Sequence, residues 1–355
     1  MKAVVWHGRN DVRVDDVADA PPPGAGEIRA RIECCGICGT DIEEWRHGPV
    51  WIPDHEPHPV TGRQAPLILG HEIAARVVDI GDSLNGFSEG DLIAIEGVFG
   101  CGECWWCVRH QANLCPHLAN IGLHFDGGLA ELVTLPAAVC ARVPEGVRPE
   151  DAALAEPVSV AIRAVRRSRL GLGESAAVFG AGMIGLASLV AARAAGASTV
   201  VVIEPDARRR ELARGLGANA ALTPEDGGWL ETLRELTGGR GPDVCVDAAG
   251  TPSTGPAAVA VTRRGGRTVI VGFANQPSSL MFSTIATGEK EVLGSLSHVI
   301  DEDFTPAIGL IASGAISAEA VDAREVPLER AVEDGFDALI QPDPPPKVLV
   351  RAATA

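Results

Sequence analysis

The hydrophobic and polar positions of the chain follow one pattern in its first part and another in its middle. Between Glu27 and about Arg142, short apolar stretches are interrupted by glycine and proline, as in strands joined by tight turns. The clearest stretches are EIRARIE, IAARVVDIG, DLIAIEGV and LAELVTLP. This part of the chain is therefore predicted to form an irregular, antiparallel, barrel-like domain.

From about Ser175 onward, short apolar runs alternate with longer stretches that are rich in Ala, Leu and Arg. The runs are AAVFG, TVVVIE, DVCVDAA and RTVIVGF. Buried strands that alternate with helices are typical of a doubly wound parallel sheet. The preceding stretch, VSVAIRAVRRSRL, has helical periodicity and is predicted to connect the two domains.

The last apolar run, KVLVRA, has no partner strand after it that could complete another βαβ unit. We expect it to return to the first domain, which makes that domain discontinuous. The predicted fold is α/β, with a barrel-like domain over residues 1–157 and 300–355 and a doubly wound parallel-sheet domain over residues 158–299.

Composition and charge limit the function classes. With 355 residues the chain exceeds the size at which one hydrophobic core stops growing, so two domains are expected. A formal charge of −17 repels nucleic-acid and membrane phosphates, so neither is expected as a partner. No signal peptide is evident, and we expect a cytoplasmic protein. There, nine cysteines are expected as metal ligands or inert thiols rather than as disulfides.

One uncharged stretch, from Ser175 to Ala192, has the minimum length of 18 residues for a membrane-spanning helix. Its first half contains three glycines, however. A strand, a tight turn and a buried helix explain the same residues, and we expect that arrangement instead of a span.

The three glycines of this stretch, Gly180, Gly182 and Gly185, have the spacing G-x-G-x-x-G of dinucleotide-binding folds. There, such glycines allow the turn, let a pyrophosphate approach backbone N–H groups and let the helix pack on the strand. The next strand ends at Glu204, whose carboxylate can accept hydrogen bonds from ribose hydroxyls and would repel a 2′-phosphate. NAD is therefore expected, and nearby arginines keep NADP as an alternative. The predicted cofactor-binding residues are Gly180, Gly182, Met183, Ile184, Gly185, Glu204 and Arg209.

A cysteine-rich lobe, CGECWWCVRHQANLC, has the spacing C-x2-C-x2-C-x7-C. Four thiolates complete a tetrahedral shell around Zn²⁺ and leave no open position, so this site would be structural. An iron–sulfur cluster has similar ligands, but hydride transfer does not need a one-electron relay. The predicted zinc ligands are Cys101, Cys104, Cys107 and Cys115. The flanking His110 and His117 are predicted to be surface residues.

Residues 34–45, CCGICGTDIEEW, contain a second candidate metal ligand. Cys35 and Cys38 fit a C-x-x-C redox pair, but Cys38 alone could also bind a metal. Downstream lie His71, in LGHE, and Glu156, in LAEPVSV. One thiolate, one imidazole and one carboxylate are typical of a zinc site with a position open to water or a substrate oxygen. Sequence distance alone leaves their convergence undecided.

At these motifs the chain resembles the zinc-containing medium-chain alcohol dehydrogenases. The resemblance covers nearly the whole chain, and HGPVWIPDHEPHPVTGRQAPLILGHE is most similar to butanediol dehydrogenases and their sorbitol dehydrogenase relatives. In the family's order, the motifs are CGICGTD, LGHE, the four-cysteine lobe, GGLAELV, AEPVSVAIRAV and GAGMIG. The resemblance implies a GroES-like catalytic domain, a Rossmann domain, NAD, and two zinc ions per chain, one catalytic and one structural.

The resemblance also implies residue roles. The implied ligands of the catalytic zinc are Cys38, His71 and Glu156, with Glu72 either contacting the metal or lying just behind it. Thr40 matches the hydroxyl that passes a proton from the bound alcohol, and Cys35 becomes a neighbouring thiol. The remaining cysteines, Cys34, Cys140 and Cys245, are predicted to be small buried side chains.

The chain departs from its relatives at Glu43, where many of them have a histidine. A carboxyl with an ordinary pKa of about 4.3 is ionised at neutral pH and carries a proton less readily than imidazole. Glu43 therefore either accepts a proton after burial raises its pKa or is a solvated surface acid.

Two further groups of residues are open to two interpretations. The insertion with His55, Glu56 and His58 is implied to line the substrate pocket, but its histidines are equally compatible with surface positions. Trp45 and Trp51 either shape that pocket or pack in the core.

The predicted activity is hydride transfer between NAD(H) and a secondary alcohol or vicinal diol, or its ketone, such as a butanediol and acetoin pair or a small polyol. An alternative is an NAD(P)H-dependent zinc reductase of a carbonyl, imine or conjugated double bond in specialised metabolism. A third hypothesis is a zinc-stabilised binding protein without catalysis. The resemblance implies a homodimer or homotetramer, in which LMFSTI is predicted to be a strand that pairs with a second subunit.

Overall fold

The computed structural model describes residues 1–82, 84–273 and 276–352. The strands, in chain order, are β1 (Lys2–Gly8), β2 (Asp11–Asp16), β3 (Glu27–Ile37), β4 (Leu67–Ile68), β5 (Glu72–Ile80), β6 (Leu92–Ile95), β7 (Val98–Phe99), β8 (Ala119–Asn120), β9 (Leu132–Pro136), β10 (Cys140–Arg142), β11 (Ser175–Phe179), β12 (Thr199–Ile203), β13 (Ala220–Leu222), β14 (Val244–Asp247), β15 (Arg267–Ile270), β16 (Glu291–Gly294), β17 (Ala323–Pro327) and β18 (Lys347–Arg351).

The α-helices are α1 (Gly39–His47), α2 (Pro149–Ala152), α3 (Ala155–Ser168), α4 (Met183–Ala194), α5 (Ala207–Gly215), α6 (Trp229–Leu236), α7 (Thr254–Val261), α8 (Phe282–Gly288), α9 (Thr305–Ala312) and α10 (Asp337–Leu339). Short 3₁₀ turns occur at Cys107–Arg109, Ala112–Leu114, Ala137–Val139 and Leu328–Arg330. The segments Ile300–Phe304 and Ala331–Phe336 have π-helical turns.

The chain divides into two units. The first comprises Met1–Glu156 together with His298–Ala355, and the second comprises Pro157–Ser297. The boundaries expected from the sequence, at residues 157/158 and 299/300, lie one and two residues from these. The first unit is therefore discontinuous, and the chain leaves it in the first turn of α3.

The main sheet of the first unit is built around the long strand β3. Strands β5, β9 and β18 all pair with β3 in antiparallel orientation. The C-terminal strand β18 sets Val350 opposite Cys35 and Val348 opposite Ile37, so the end of the chain completes the sheet begun near its start. This is the return of KVLVRA that the sequence predicts.

Apolar side chains on the inner face of this sheet form one core. Its largest fully buried members include Trp6, Ile28, Ile73 and Phe336. The ring of Trp45, on α1, meets Phe336 edge to face at a centroid distance of 5.8 Å. Trp45 is therefore part of the core, which is one of the two outcomes expected from the sequence.

The second unit contains a parallel sheet whose strands, among the residues described, lie in the order β13-β12-β11-β14-β15-β16. Every neighbouring pair is parallel. Residues of β14 point alternately to two separate apolar clusters, with Cys245 in one and Val244 and Val246 in the other. Both faces are covered, which explains why these strands are continuous apolar runs in the sequence.

The strand order reverses between β11 and β14. In doubly wound sheets, ligands bind beyond the carboxyl ends of the strands at this switch point. The glycine-rich turn after β11 lies at this position, directly before α4. The stretch from Ser175 to Ala192 is thus a strand, a turn and a helix, and none of the helices in the described ranges has the length and apolar character needed to cross a membrane.

The interpretation of LMFSTI as a strand is wrong. Its residues lead into α8, which begins at Phe282, and the following strand is β16. A short apolar run has no periodicity that separates helix from strand, so neighbouring structure decides. One edge of the parallel sheet is β16, which pairs with β15, and the other is β13.

We expect Phe336→Ala to destabilise the first unit by about 3–5 kcal/mol, because it removes a fully buried ring and leaves a cavity beside Trp45. Urea unfolding followed by tryptophan fluorescence would measure this, since all tryptophans except Trp229 lie in that unit. Leu172→Ala, at a side chain that is 91% exposed, is the control and should leave the transition unchanged. Equal unfolding midpoints for both variants would contradict the assigned core.

Candidate active site

The residues predicted to bind the catalytic metal meet at one end of the antiparallel sheet. Cys38 directly follows β3 and forms the N-cap of α1, while Glu72 begins β5 opposite Gly36. One ligand atom from each of Cys38, His71 and Glu72 lies within 4.8 Å of the others. The antiparallel register of β3 and β5 therefore brings Cys38 to the adjacent residues His71 and Glu72, which lie more than 30 positions further along the chain.

The cysteine question raised by residues 34–45 is answered by burial and geometry. All nine cysteines, each within the described part of the chain, are free thiols, so Cys35 and Cys38 form no disulfide. Burial raises the pKa of Cys35 well above its ordinary value, and Asp41 contributes in the same direction. Cys35 is therefore an inert thiol, and Cys38 is the one that faces the cluster.

The surroundings of His71 are buried and negatively charged. Its Nδ1 lies 3.7 Å from Oδ1 of Asp41, a fully buried carboxylate that was not among the predicted site residues. Burial by itself would lower the pKa of His71, but Asp41 and Cys38 raise that pKa well above its ordinary value. The imidazole thus experiences a strong negative potential, as expected where a cation binds.

A second residue missed in the sequence, Lys347, begins β18 beside the end of β3. Its Nζ donates a hydrogen bond of 2.9 Å to the carbonyl oxygen of Ile37 and forms a buried ion pair with Glu72. Burial would lower the pKa of Lys347, but the charges of Glu72 and Cys38 raise it. Gly36 leaves room for this pair, because a Cβ there would overlap both side chains.

Glu156 lies near this cluster but outside the group of three. It is buried in the first turn of α3. Burial raises the pKa of its carboxyl to about 7, a shift that His71 opposes and Glu72 increases. These interactions place Glu156 in the same electrostatic environment as the three clustered residues. Its role as a ligand remains a prediction.

The donor set fits Zn²⁺. A thiol, an imidazole and a carboxylate lie together in a buried region, and thiolate, imidazole and carboxylate are the usual zinc ligands. The pKa values of His71 and Lys347 are both raised despite burial, which means that the region has an excess of negative charge. A divalent cation would balance that excess.

The proposed proton relay begins beside the cluster. The Cys38 thiol donates to the Thr40 hydroxyl at 3.7 Å, so Thr40 lies next to a proposed metal ligand. Glu43 lies one turn further along α1 and is half-buried. A role for Glu43 in proton transfer stays a prediction.

The segment after α1 is held by a buried carboxylate that the sequence did not reveal. The Glu44 carboxylate accepts hydrogen bonds from the backbone N–H groups of Val50, Trp51 and Ile52. Trp51 is partly exposed, so its position depends on this backbone anchor more than on core packing. An acidic residue within an amphipathic helix carries no signal that distinguishes such an anchor from a solvated side chain.

The histidines of the insertion have different environments. His55 has a side chain that is 91% exposed, which matches a surface position. His58 is buried, and its Nδ1 accepts the backbone N–H groups of Val60 and Thr61 at 3.4 Å. His58 therefore stabilises its own loop, and its ring packs beside His124 at 4.6 Å between centroids.

The four cysteines of the lobe also converge. Their sulfur atoms lie within 4.8 Å of one another, and backbone N–H groups of Cys101, Cys107 and His117 donate to sulfurs of the group. A Cβ at Gly100 would crowd two of the cysteines. The four sulfurs are Sγ of Cys101, Cys104, Cys107 and Cys115. They suit a closed tetrahedral zinc site, while His110 and His117 are exposed as predicted.

The glycine-rich turn of the second unit fits a dinucleotide. Gly180 has φ = +92°, a conformation that other residues rarely adopt, and a Cβ at Gly185 would overlap the carbonyl of Gly180. Gly182 is the N-cap of α4, and a Cβ there would meet nothing within 4 Å, so the approach to the helix N-terminus is open. A pyrophosphate can bind at such a terminus. Met183 and Ile184 form the first turn of α4.

A cavity of about 610 Å³ adjoins this turn. Its lining includes Gly180, Gly182, Glu204, Arg209 and Trp229. The Glu204 carboxylate accepts hydrogen bonds from the backbone N–H groups of Ala181, at 2.7 Å, and Asp206, at 2.9 Å. Glu204 thus joins the glycine turn to the start of α5, and each carboxylate oxygen keeps a second acceptor site that a ribose hydroxyl could use.

Comparisons with known proteins agree with this arrangement. Residues 24–145 match the model of the alcohol dehydrogenase GroES-like domain, and residues 184–313 match that of the zinc-binding dehydrogenase domain. The chain is 33% identical to (R,R)-butanediol dehydrogenase of Bacillus subtilis, over 99% of both chains, and 30% identical to sorbitol dehydrogenase of the same organism, over 96% of this chain and 94% of the relative.

Solved structures of bacterial dehydrogenases share the fold. The crystal structure of 2R,3R-butanediol dehydrogenase from B. subtilis has a TM-score of 0.90, with 32% identity and 99% coverage of both chains. A putative zinc-binding dehydrogenase from Sinorhizobium meliloti, bound to NADP, has a TM-score of 0.87 with 30% identity, over 99% of this chain and 98% of that one. The predicted combination of a GroES-like domain with a Rossmann-type sheet is confirmed.

We expect two zinc sites that can be lost separately. Cys104→Ser should remove the lobe's zinc, and Cys38→Ser should remove the other, because each deletes a thiolate from one cluster only. Elemental analysis of the purified proteins would count the metal. Cys140→Ala, at a buried thiol outside both clusters, is the matched control and should keep both ions. Loss of both ions from either single variant, with folding intact, would contradict two independent sites.

Proposed function

Because the chain belongs to the zinc-containing medium-chain alcohol dehydrogenase family, we propose that it transfers a hydride between NAD(H) and a secondary alcohol or vicinal diol, or the corresponding ketone. The observation that carries the proposal is the convergence of Cys38, His71 and Glu72 within 4.8 Å in a buried, negatively charged region. Matches over nearly the full length of butanediol and sorbitol dehydrogenases support a diol or polyol as substrate.

Each residue of the site has a part in this reaction. Cys38, His71 and Glu72, with Glu156 beside them, would hold the zinc, which when bound supplies a Lewis acid for the substrate oxygen. The Asp41 carboxylate lies 3.7 Å from Nδ1 of His71 and stabilises positive charge there, and Lys347 balances the charge of Glu72 inside the sheet. Thr40 is positioned to accept the proton that the alcohol loses. Glu43 is the candidate for its next acceptor.

The cofactor is proposed to bind at the glycine-rich turn of the second unit. The open N-terminus of α4 would hold the pyrophosphate, and the cavity lined by Glu204 would hold the adenosine half. We propose NAD as the preferred cofactor, because the negatively charged carboxylate of Glu204 would repel the 2′-phosphate of NADP. NADP is the alternative, because a related dehydrogenase is bound to NADP and Arg209 lines the same cavity as Glu204. Kinetics with both cofactors test this choice.

We also propose that the protein forms a homodimer or homotetramer. The edge strand β16 and the residues near it expose several apolar side chains: Met281, Phe282, Val292 and Leu296. An exposed strand edge with apolar neighbours is a common pairing surface. Gel filtration at micromolar concentration should give at least a dimer, and a monomer there would exclude the proposal.

Glu204→Gln tests the cofactor assignment. We expect the wild type to prefer NAD over NADP by about 100-fold in kcat/KM, because two like charges near a protein surface repel by several kcal/mol. Glutamine keeps the side-chain size and one of the two backbone hydrogen bonds while removing the charge, so the preference should fall by roughly tenfold or more. Steady-state kinetics with both cofactors would measure it, with the exposed Glu211→Gln on α5 as control. An NADP preference in the wild type would contradict the role of Glu204 in repelling a 2′-phosphate.

A substrate panel with Glu43→His tests the activity and the relay together. We expect NAD-dependent oxidation of vicinal diols, followed by NADH absorbance, and a gain of roughly tenfold in kcat at neutral pH when imidazole replaces Glu43. Glu145→His, at an exposed acid, should have no such effect.

The panel also separates the other two hypotheses. Turnover of imines or conjugated double bonds without turnover of diols would favour a reductase of specialised metabolism. A protein that contains zinc but turns over none of these compounds would favour a binding function.

A further inference from the structure

A buried histidine, His298, lies beside Glu156, and the reaction proposed above assigns it no role. Its side chain is fully buried. Its Nε2 lies 2.8 Å from the backbone carbonyl oxygen of Glu96, and its ring stacks on Phe304 with 5.8 Å between centroids and 28° between planes. A carbonyl oxygen only accepts, so Nε2 is the donor. The ring is therefore held in one orientation.

That orientation directs the other ring nitrogen to Glu156. Nδ1 of His298 lies 3.6 Å from Oε1 of Glu156, so the two side chains are in polar contact. On its opposite side, Nε2 also lies 3.5 Å from the side-chain oxygen of Glu96. The imidazole thus links Glu156 to the backbone that follows β6.

Glu156 needs such a link more than the other proposed ligands do. Cys38 and Glu72 are adjacent to paired strands of one sheet, which fixes their backbones. Glu156, in contrast, is the last residue before the chain leaves the first unit, and it lies in the first turn of a helix. His298 is the first residue after the chain returns. Their contact joins the two points at which the first unit is interrupted.

We propose that His298 is a positioning residue that holds the Glu156 carboxylate in place for the catalytic metal. This inference rests on the proposed function, because it takes Glu156 as part of the zinc site. Partners behind a metal ligand typically change metal affinity by 10–100-fold when they are removed. The same change is expected here for the metal of the Cys38 cluster, whereas the four-cysteine lobe should be unaffected.

Two substitutions separate the two ring nitrogens. In His298→Gln the amide nitrogen can replace Nε2 and keep the bond to the Glu96 carbonyl, but the contact with Glu156 is lost. In His298→Asn the amide nitrogen can replace Nδ1 and keep that contact, but the bond to Glu96 is lost. A residue that serves only the core would suffer about equally from both changes.

The readout is the affinity for Co²⁺ at the Cys38 cluster, measured by competition with a chelator and followed in the visible absorption spectrum. We expect His298→Gln to lower this affinity by roughly 10–100-fold. The Asn variant should bind Co²⁺ about tenfold more tightly than the Gln variant does. The Co²⁺ signal of the four-cysteine lobe is the internal control and should not change. Equal losses in the Gln and Asn variants would overturn the proposal.

A double-mutant cycle with Glu156→Gln tests whether His298 acts through Glu156. If it does, His298→Gln should have little further effect on Co²⁺ affinity when Glu156 is already replaced. An undiminished effect in that background would also overturn the proposal. Kinetics distinguish this failure from failure of the proposed function: a wild type with the expected Co²⁺ pattern and no turnover of any alcohol would exclude the activity and leave the positioning role intact.

Discussion

The structure of the candidate active site depends on a concentration of buried negative charge at the end of β3. Cys38, Asp41, Glu72 and Glu156 lie in or beside one region that water does not reach freely. Burying that many acidic groups is very costly unless positive charge balances them. Lys347 supplies part of the balance, and a zinc ion held by Cys38, His71 and Glu72 would supply the rest.

The strand connections of the first unit bring these charged groups together. The C-terminal strand returns to pair with β3, and in doing so it carries Lys347 to the carboxylate of Glu72. The chain leaves the unit at Glu156 and re-enters it at His298, and these two residues contact each other. A discontinuous domain thereby gathers charged groups from four distant segments without placing any of them on a long loop.

The second unit places its candidate cofactor site at the end of a parallel sheet. Its central strands, β11, β12 and β14, are buried, and the glycine-rich turn lies where the strand order reverses. Gly180 and Gly185 permit the tight turn, and Glu204 ties that turn to the beginning of α5. The same carboxylate therefore serves both the local structure and, as we propose, the choice of cofactor.

The sequence by itself determined the features that depend on spacing within a short segment or on motifs in order. The four cysteines of the lobe, the three glycines with Glu204, and the return of the last strand were all predictable, because local geometry or a missing partner strand leaves few alternatives. Only the tertiary structure revealed Lys347, Asp41, His298 and Glu44 as partners in buried networks. A charged residue looks the same in sequence whether it is solvated or buried, and burial is set by strands that pair across the whole chain. The same reason explains why LMFSTI, a short apolar run without a distinguishing period, turned out to lead into a helix.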